Sequence, residues 1–74
     1  MKRSDIKVGK TYVNRGKGQT RRTVLAIGYE VHPDWYGGEM PPNEFGVEYL
    51  QDGKTHSLYL SSFASWAGKE SENA

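Results

Sequence analysis

The sequence contains no cysteine. Disulfides and thiolate metal sites are therefore excluded, and the chain suits a reducing compartment such as the cytoplasm. Proline is scarce: Pro33, Pro41 and Pro42 are the three in the chain, and they fall in one stretch. No apolar run approaches the ~18 residues of a membrane span, so no membrane association is expected. The start, Met1-Lys2-Arg3-Ser4-Asp5, is charged and no apolar h-region follows, so no signal peptide is expected. Between residues 23 and 53 there is no Lys or Arg at all.

The 74 residues provide for one domain, 1–74, with an ordered core over about 6–68 and flexible termini. A domain this small buries only about 60% of the surface its unfolded chain exposes, which leaves little room for a deep catalytic cleft. Nine glycines make the chain turn-rich. Net charge is only +1, yet the charges are segregated. Residues 1–22 hold eight basic side chains against Asp5 alone, a net +7, and residues 23–53 hold six acids, a net −6. Two readings follow. The basic segment is a surface for nucleic acid or an acidic protein, or it pairs with the acidic strand and is neutralised across a sheet.

Local patterns predict mainly strands. Ile6 and Val8 form a lead-in that tucks apolar side chains under the sheet, after a frayed stretch over 1–5. Thr11 to Asn14 reads as a short strand, and 15–20 as a loop with Gly16 and Gly18. Arg21 to Val31 reads as one long strand with Leu25, Ile27, Tyr29 and Val31 on a single face, Leu25 and Ile27 toward the core. His32 to Glu44 is a long irregular loop. Phe45 to Leu50 alternates, Asp52-Gly53 marks a hairpin turn, and Thr55 to Leu60 returns with Leu58 and Leu60 in phase. A helical turn follows, capped by Ser61 or Ser62, burying Phe63 and Trp66, and ended by Gly68. Lys69 to Ala74 has nothing to bury and reads as a mobile tail. The expected core is Leu25, Ile27, Val47, Tyr49, Leu58, Leu60 and Phe63.

Strand, glycine loop, long strand, long loop, tight hairpin and helical turn together predict a mainly β fold: a small SH3-like antiparallel barrel with a short C-terminal helical turn. Thr11-Tyr12-Val13-Asn14-Arg15, Arg22-Thr23-Val24-Leu25-Ala26-Ile27 and Leu60-Ser61-Ser62-Phe63-Ala64-Ser65-Trp66-Ala67 also resemble a set of small uncharacterised phage and prophage proteins. The shared pattern spans about residues 6–67 by spaced motifs. It implies a phage-encoded module working in the host cytoplasm and implies no activity.

Catalysis is not expected. His32 and His56 lie far apart, and a nucleophile would have to come from Ser57, Ser61, Ser62 or Ser65, whose geometry nothing in the sequence enforces. A metal site is not expected either: His32, Asp34, Glu39 and Glu44 offer one histidine where structural zinc draws on four Cys or His ligands, and calcium-loop spacing is missing. Gly16-Lys17-Gly18 lacks the third glycine and following helix of a dinucleotide site, so no cofactor and no small-molecule substrate are expected.

Binding remains, in two forms. In the first, the module recognises a protein partner through the long loop, with Trp35, Tyr36 and Met40 as apolar anchors and Asp34, Glu39 and Glu44 as an acidic rim. The alternative cover for Trp35 is the domain's own small core. In the second, the hairpin over 15–22 binds nucleic acid through Arg15, Lys17, Arg21 and Arg22, with Tyr12 or Tyr29 as stacking faces. If the acidic strand leaves the hairpin uncovered, the second form gains.

Overall fold

The computed structural model describes residues 1–16, 20–31 and 44–71. Within them are a 3-10 turn (Arg3–Asp5), β1 (Thr11–Asn14), β2 (Arg21–Gly28), β3 (Gly46–Gln51), β4 (Lys54–Tyr59), α1 (Leu60–Trp66) and β5 (Ala67–Glu70). The strands make one antiparallel sheet in the order β4-β3-β2-β1-β5. Its edges, β4 and β5, are joined in sequence by α1 and are not hydrogen-bonded to each other. The sheet is therefore not closed.

The tightest local signal forms as its chemistry requires. Asp52 (φ 53°) and Gly53 (φ 79°) both adopt positive φ, the geometry of the two-residue turn that matches strand twist. That turn sets the β3–β4 register from Gln51↔Lys54 to Gly46↔Tyr59. On one face of the sheet Tyr12, Val24, Val47 and Tyr49 are buried against Leu60, Phe63 and Ala64 of α1, with Ile6 and Ala67 completing the core. Phe63 is fully buried, edge-on to Tyr12 at 5.8 Å between ring centroids and 5.5 Å from Tyr49. This α1-covered side is the inner face; the opposite side is the outer face.

The long strand departs from simple alternation. Val24 pairs with Tyr49 and Ala26 with Glu48, so Leu25 is the extra residue of a β-bulge. Before the bulge the even positions point inward, and Val24 is 1% exposed. After it the odd positions do, and Ile27 packs on the core. Leu25 is thereby turned out, at 40% exposure, and does not belong to the core as alternation predicts. Val47, Tyr49, Leu60 and Phe63 are buried as expected, and Leu58 is half-buried against the core.

β2 also stops at Gly28 rather than Val31. Tyr29 and Glu30 form a turn closed by Val31 N–H donating to the Gly28 carbonyl at 3.3 Å. Tyr29 consequently stands exposed, its ring 4.6 Å from that of Phe45. Beyond the turn, the Val31 carbonyl lies where a Cβ on Gly46 would be.

Both ends of the chain are more engaged than their composition suggests. The Met1 amino group donates to the carbonyls of Ala64 (3.0 Å) and Ala67 (3.2 Å), and Met1 packs on the core. The Tyr12 hydroxyl donates to the Asp5 carbonyl at 2.9 Å and accepts from Lys7 N–H at 2.7 Å. Burial of that phenol raises its pKa, against the lowering effect of the Lys7 bond. At the other end, 67–70 form β5 rather than a tail, and Ser71 N–H donates to the Thr11 carbonyl at 2.8 Å. Gly68 does not stop the helix; Ala67 is its C-cap. Gly68 instead passes so close to β1 that a Cβ there would meet Arg15 Cα at 3.0 Å.

The helix begins at Leu60 without a side-chain cap from its own Tyr59. Glu44 takes that role in place of Ser61 or Ser62. Its carboxylate accepts from the Ser61 hydroxyl (2.7 Å) and from Ser61 N–H (3.3 Å) and Phe45 N–H (3.2 Å). Such a carboxylate satisfies donors that the first turn cannot.

Candidate functional site

The two arginines that open β2 separate by strand phase. Arg22 shares the inner face with Val24. Its guanidinium lies 4.1 Å from the Trp66 ring centroid and 4.7 Å from that of Tyr49, and Nε–H donates to Gln51 Oε1 at 2.7 Å. Burial lowers its pKa, opposed by Tyr49. These contacts make Arg22 a cation–π bridge between the sheet and α1. It therefore lies on the opposite face of the sheet from Arg21.

Arg21 lies on the outer face. It pairs with Val13 of β1, and Val13 pairs on its other side with Lys69 of β5. Lys69, Val13 and Arg21 thus form a row across three strands, with the two exposed cations about 10 Å apart at the backbone. Arg15 follows β1 at the same end of the sheet and is exposed. Its backbone is fixed by Arg15 N–H donating to the Trp66 carbonyl at 3.2 Å. Thr20 N–H donates to Asn14 Oδ1 at 3.0 Å, and Asn14 N–H to the Thr20 carbonyl at 3.3 Å, which closes the base of the loop between Arg15 and Arg21. Lys17 lies outside the described residues.

Among the described acids of the acidic segment, Asp52 lines the same groove as Arg21, with no ion pair within 4 Å. Glu48 stands opposite Ala26, away from the arginines. Among the described residues, Lys10 pairs with Glu70 (3.7 Å) and Arg3 with Glu44 (3.8 Å), while Arg15, Arg21 and Lys69 have no acidic partner within 4 Å. Next to the row, the Thr11 and Thr23 hydroxyls hydrogen-bond each other at 2.7 Å, and Thr23 pairs with Leu50, which is 38% exposed. Thr20, Arg21, Thr23, Leu50, Asp52 and Gly53 line an open groove of about 540 Å³.

The protein-partner anchors Trp35, Tyr36 and Met40, with Asp34 and Glu39, lie outside the described residues. Glu44 is described, and its carboxylate is engaged with Ser61 and Arg3. Burial alone would raise its pKa; the bonds from Ser61 and Phe45 and the nearby Arg3 hold it below the ordinary value. Of the proposed stacking faces, Tyr12 is buried in the core and Tyr29 is exposed at the far end of β2. Lys69 was not legible as part of a site, because nothing in Ala67-Gly68-Lys69-Glu70 signals a strand. Among the described residues no helix is long and apolar enough to cross a membrane. Compared with family models, curated proteins and solved structures, the chain matches none.

Proposed function

We propose that this chain is a non-catalytic, phage-type SH3-like module that binds nucleic acid through the outer face of its sheet. The SH3-like reading is supported by a four-stranded meander, a short helix, and a last strand that returns to pair with the first. The binding reading is carried by one observation: Lys69 and Arg21 on the outer face, and exposed Arg15 at the same end of the sheet, have no acidic partners within 4 Å among the described residues. Cations left in this way gain by replacing the counterions of a polyanion. The anchors of the protein-partner reading, Trp35, Tyr36 and Met40, lie outside the described residues.

The test is fluorescence anisotropy with a labelled oligonucleotide over a range of salt. Contact through these three cations gives a log–log salt slope of about −2 to −3, from ~0.7–0.9 per neutralised phosphate. The triple variant Arg15→Ala/Arg21→Ala/Lys69→Ala removes most of that slope. Lys2→Ala/Lys54→Ala leaves it nearly unchanged, since Lys54 pairs with Gln51 on the inner face and Lys2 flanks the 3-10 turn that packs against α1. No binding at ~50 mM salt by any oligonucleotide overturns the proposal.

A further inference from the structure

Resting on the nucleic-acid reading, the geometry points to an unpaired strand as the ligand, with one base seated in the groove between the start of β2 at Thr20–Arg21 and the Asp52–Gly53 turn. Shape comes first. Five strands at ~4.8 Å spacing span about 19 Å. A duplex major groove is ~12 Å wide and admits a helix or a two-stranded ribbon. This face therefore cannot enter it, and a duplex would meet the cations only along its backbone.

The surface chemistry beside the cations also fits unpaired bases. Leu50 is exposed there, and the bulge turns Leu25 onto the same face, opposite Glu48 with Ala26. The Thr11 and Thr23 hydroxyls share one hydrogen bond, and Thr11 is buried. Leu25 and Leu50 leave apolar area on the face that carries Arg21 and Lys69. Base faces supply the apolar area that such side chains cover, and a duplex keeps those faces stacked inside itself.

The groove adds a directional element. Its volume of about 540 Å³ falls within the ~300–1,000 Å³ of small-ligand sites. Leu50 offers an apolar wall, and Arg21 lines the same groove and supplies a cation for a phosphate. Asp52 lines the same groove and has no ion pair within 4 Å among the described residues. A carboxylate is a pure acceptor, and cytosine presents an N4 amino donor where thymine and uracil present a carbonyl. The groove therefore favours an amino-bearing base, cytosine over thymine or uracil.

The experiment compares labelled oligo-dC, oligo-rC, oligo-dT and an oligo-dC·oligo-dG duplex, of equal length and at one salt concentration, with polyglutamate as competitor. The expected result is that oligo-dC or oligo-rC binds about tenfold more tightly than the duplex and several-fold more tightly than oligo-dT. Asp52→Asn is expected to erase the preference for cytosine while keeping binding to oligo-dT, because asparagine tolerates the positive φ at this turn. A duplex bound as tightly as the single strands, or polyglutamate competing as well as oligo-dC, overturns the inference and leaves the outer-face cations as a general polyanion site. An unchanged dC-to-dT ratio in Asp52→Asn overturns the seating of the base. Absence of binding to every oligonucleotide overturns both this inference and the reading it rests on.

Discussion

Replacing Gly46 by alanine tests the fold at its tightest point. Gly46 is buried in β3, between Gly28 of β2 and Tyr59 of β4 in the ladder. An added Cβ would overlap the Val31 carbonyl and come within 2.9 Å of Val31 Cβ. The obstruction is backbone, so no rotamer change relieves it. Either the turn over Tyr29 and Glu30 moves off β3, or β3 shifts in a register held on both sides. Overpacking of this kind costs ~1–3 kcal/mol, and a rigid backbone obstacle places it near the top, about 3 kcal/mol. A domain of this length holds roughly 4–11 kcal/mol in total. At ~4–8 °C per kcal/mol, Gly46→Ala should melt about 12–24 °C below wild type by circular dichroism. Gly28→Ala is the internal control. It sits in the same row, but the nearest atom to its added Cβ is 4.0 Å away and its φ is not positive, so its melting temperature should stay within a few degrees. A Gly46→Ala protein melting with wild type would refute the close approach of Val31 to β3.

Three further outcomes are expected. Val24→Ala should cost about 1–3 kcal/mol in urea titration and Leu25→Ala less than ~0.5 kcal/mol; the reverse order would place the bulge elsewhere. Arg22→Ala should lose about 1–2 kcal/mol, the range of a partly desolvated cation–π contact, and Arg22→Lys should not restore it all, because the planar stack between Tyr49 and Trp66 is lost. Glu44→Gln should destabilise by about 1–2 kcal/mol at pH 7, as expected for bonds to a charged acceptor. The folded-state pKa of Glu44 is depressed, so its contribution is fully present above the unfolded value of ~4.3 and is lost as pH falls through the lower folded value. The gap between wild type and Glu44→Gln should therefore narrow on acidification below ~pH 4; a gap that widened would refute the assignment.

What local chemistry controls was legible before the fold was known. Asp52-Gly53 is a turn because two adjacent residues must take positive φ, and that demand is written in the residues themselves. The strands flanking it follow, since the turn sets their register and alternation then buries Val47 and Tyr49. Thr11 to Asn14 forms a strand over the expected span for the same local reason. Helical spacing likewise placed Leu60 and Phe63 in the core.

Features that depend on a partner far along the chain were not. Leu25 faces outward because β2 carries one residue more than β3 between two shared pairs, and a mismatch between strands leaves no mark on either alone. Lys69 joins Arg21 only because β5 finds the open edge of β1, whose backbone donors supply what the β5 side chains do not. Arg21 and Arg22 are chemically alike and adjacent, yet one faces solvent and the other lies between Tyr49 and Trp66. Residue type determined that this segment is basic and β-forming. Which of its charges stayed free was decided by the pleat, by the bulge and by rings that tertiary packing brought from distant positions, because charge is a property of a side chain and its availability is a property of its neighbours.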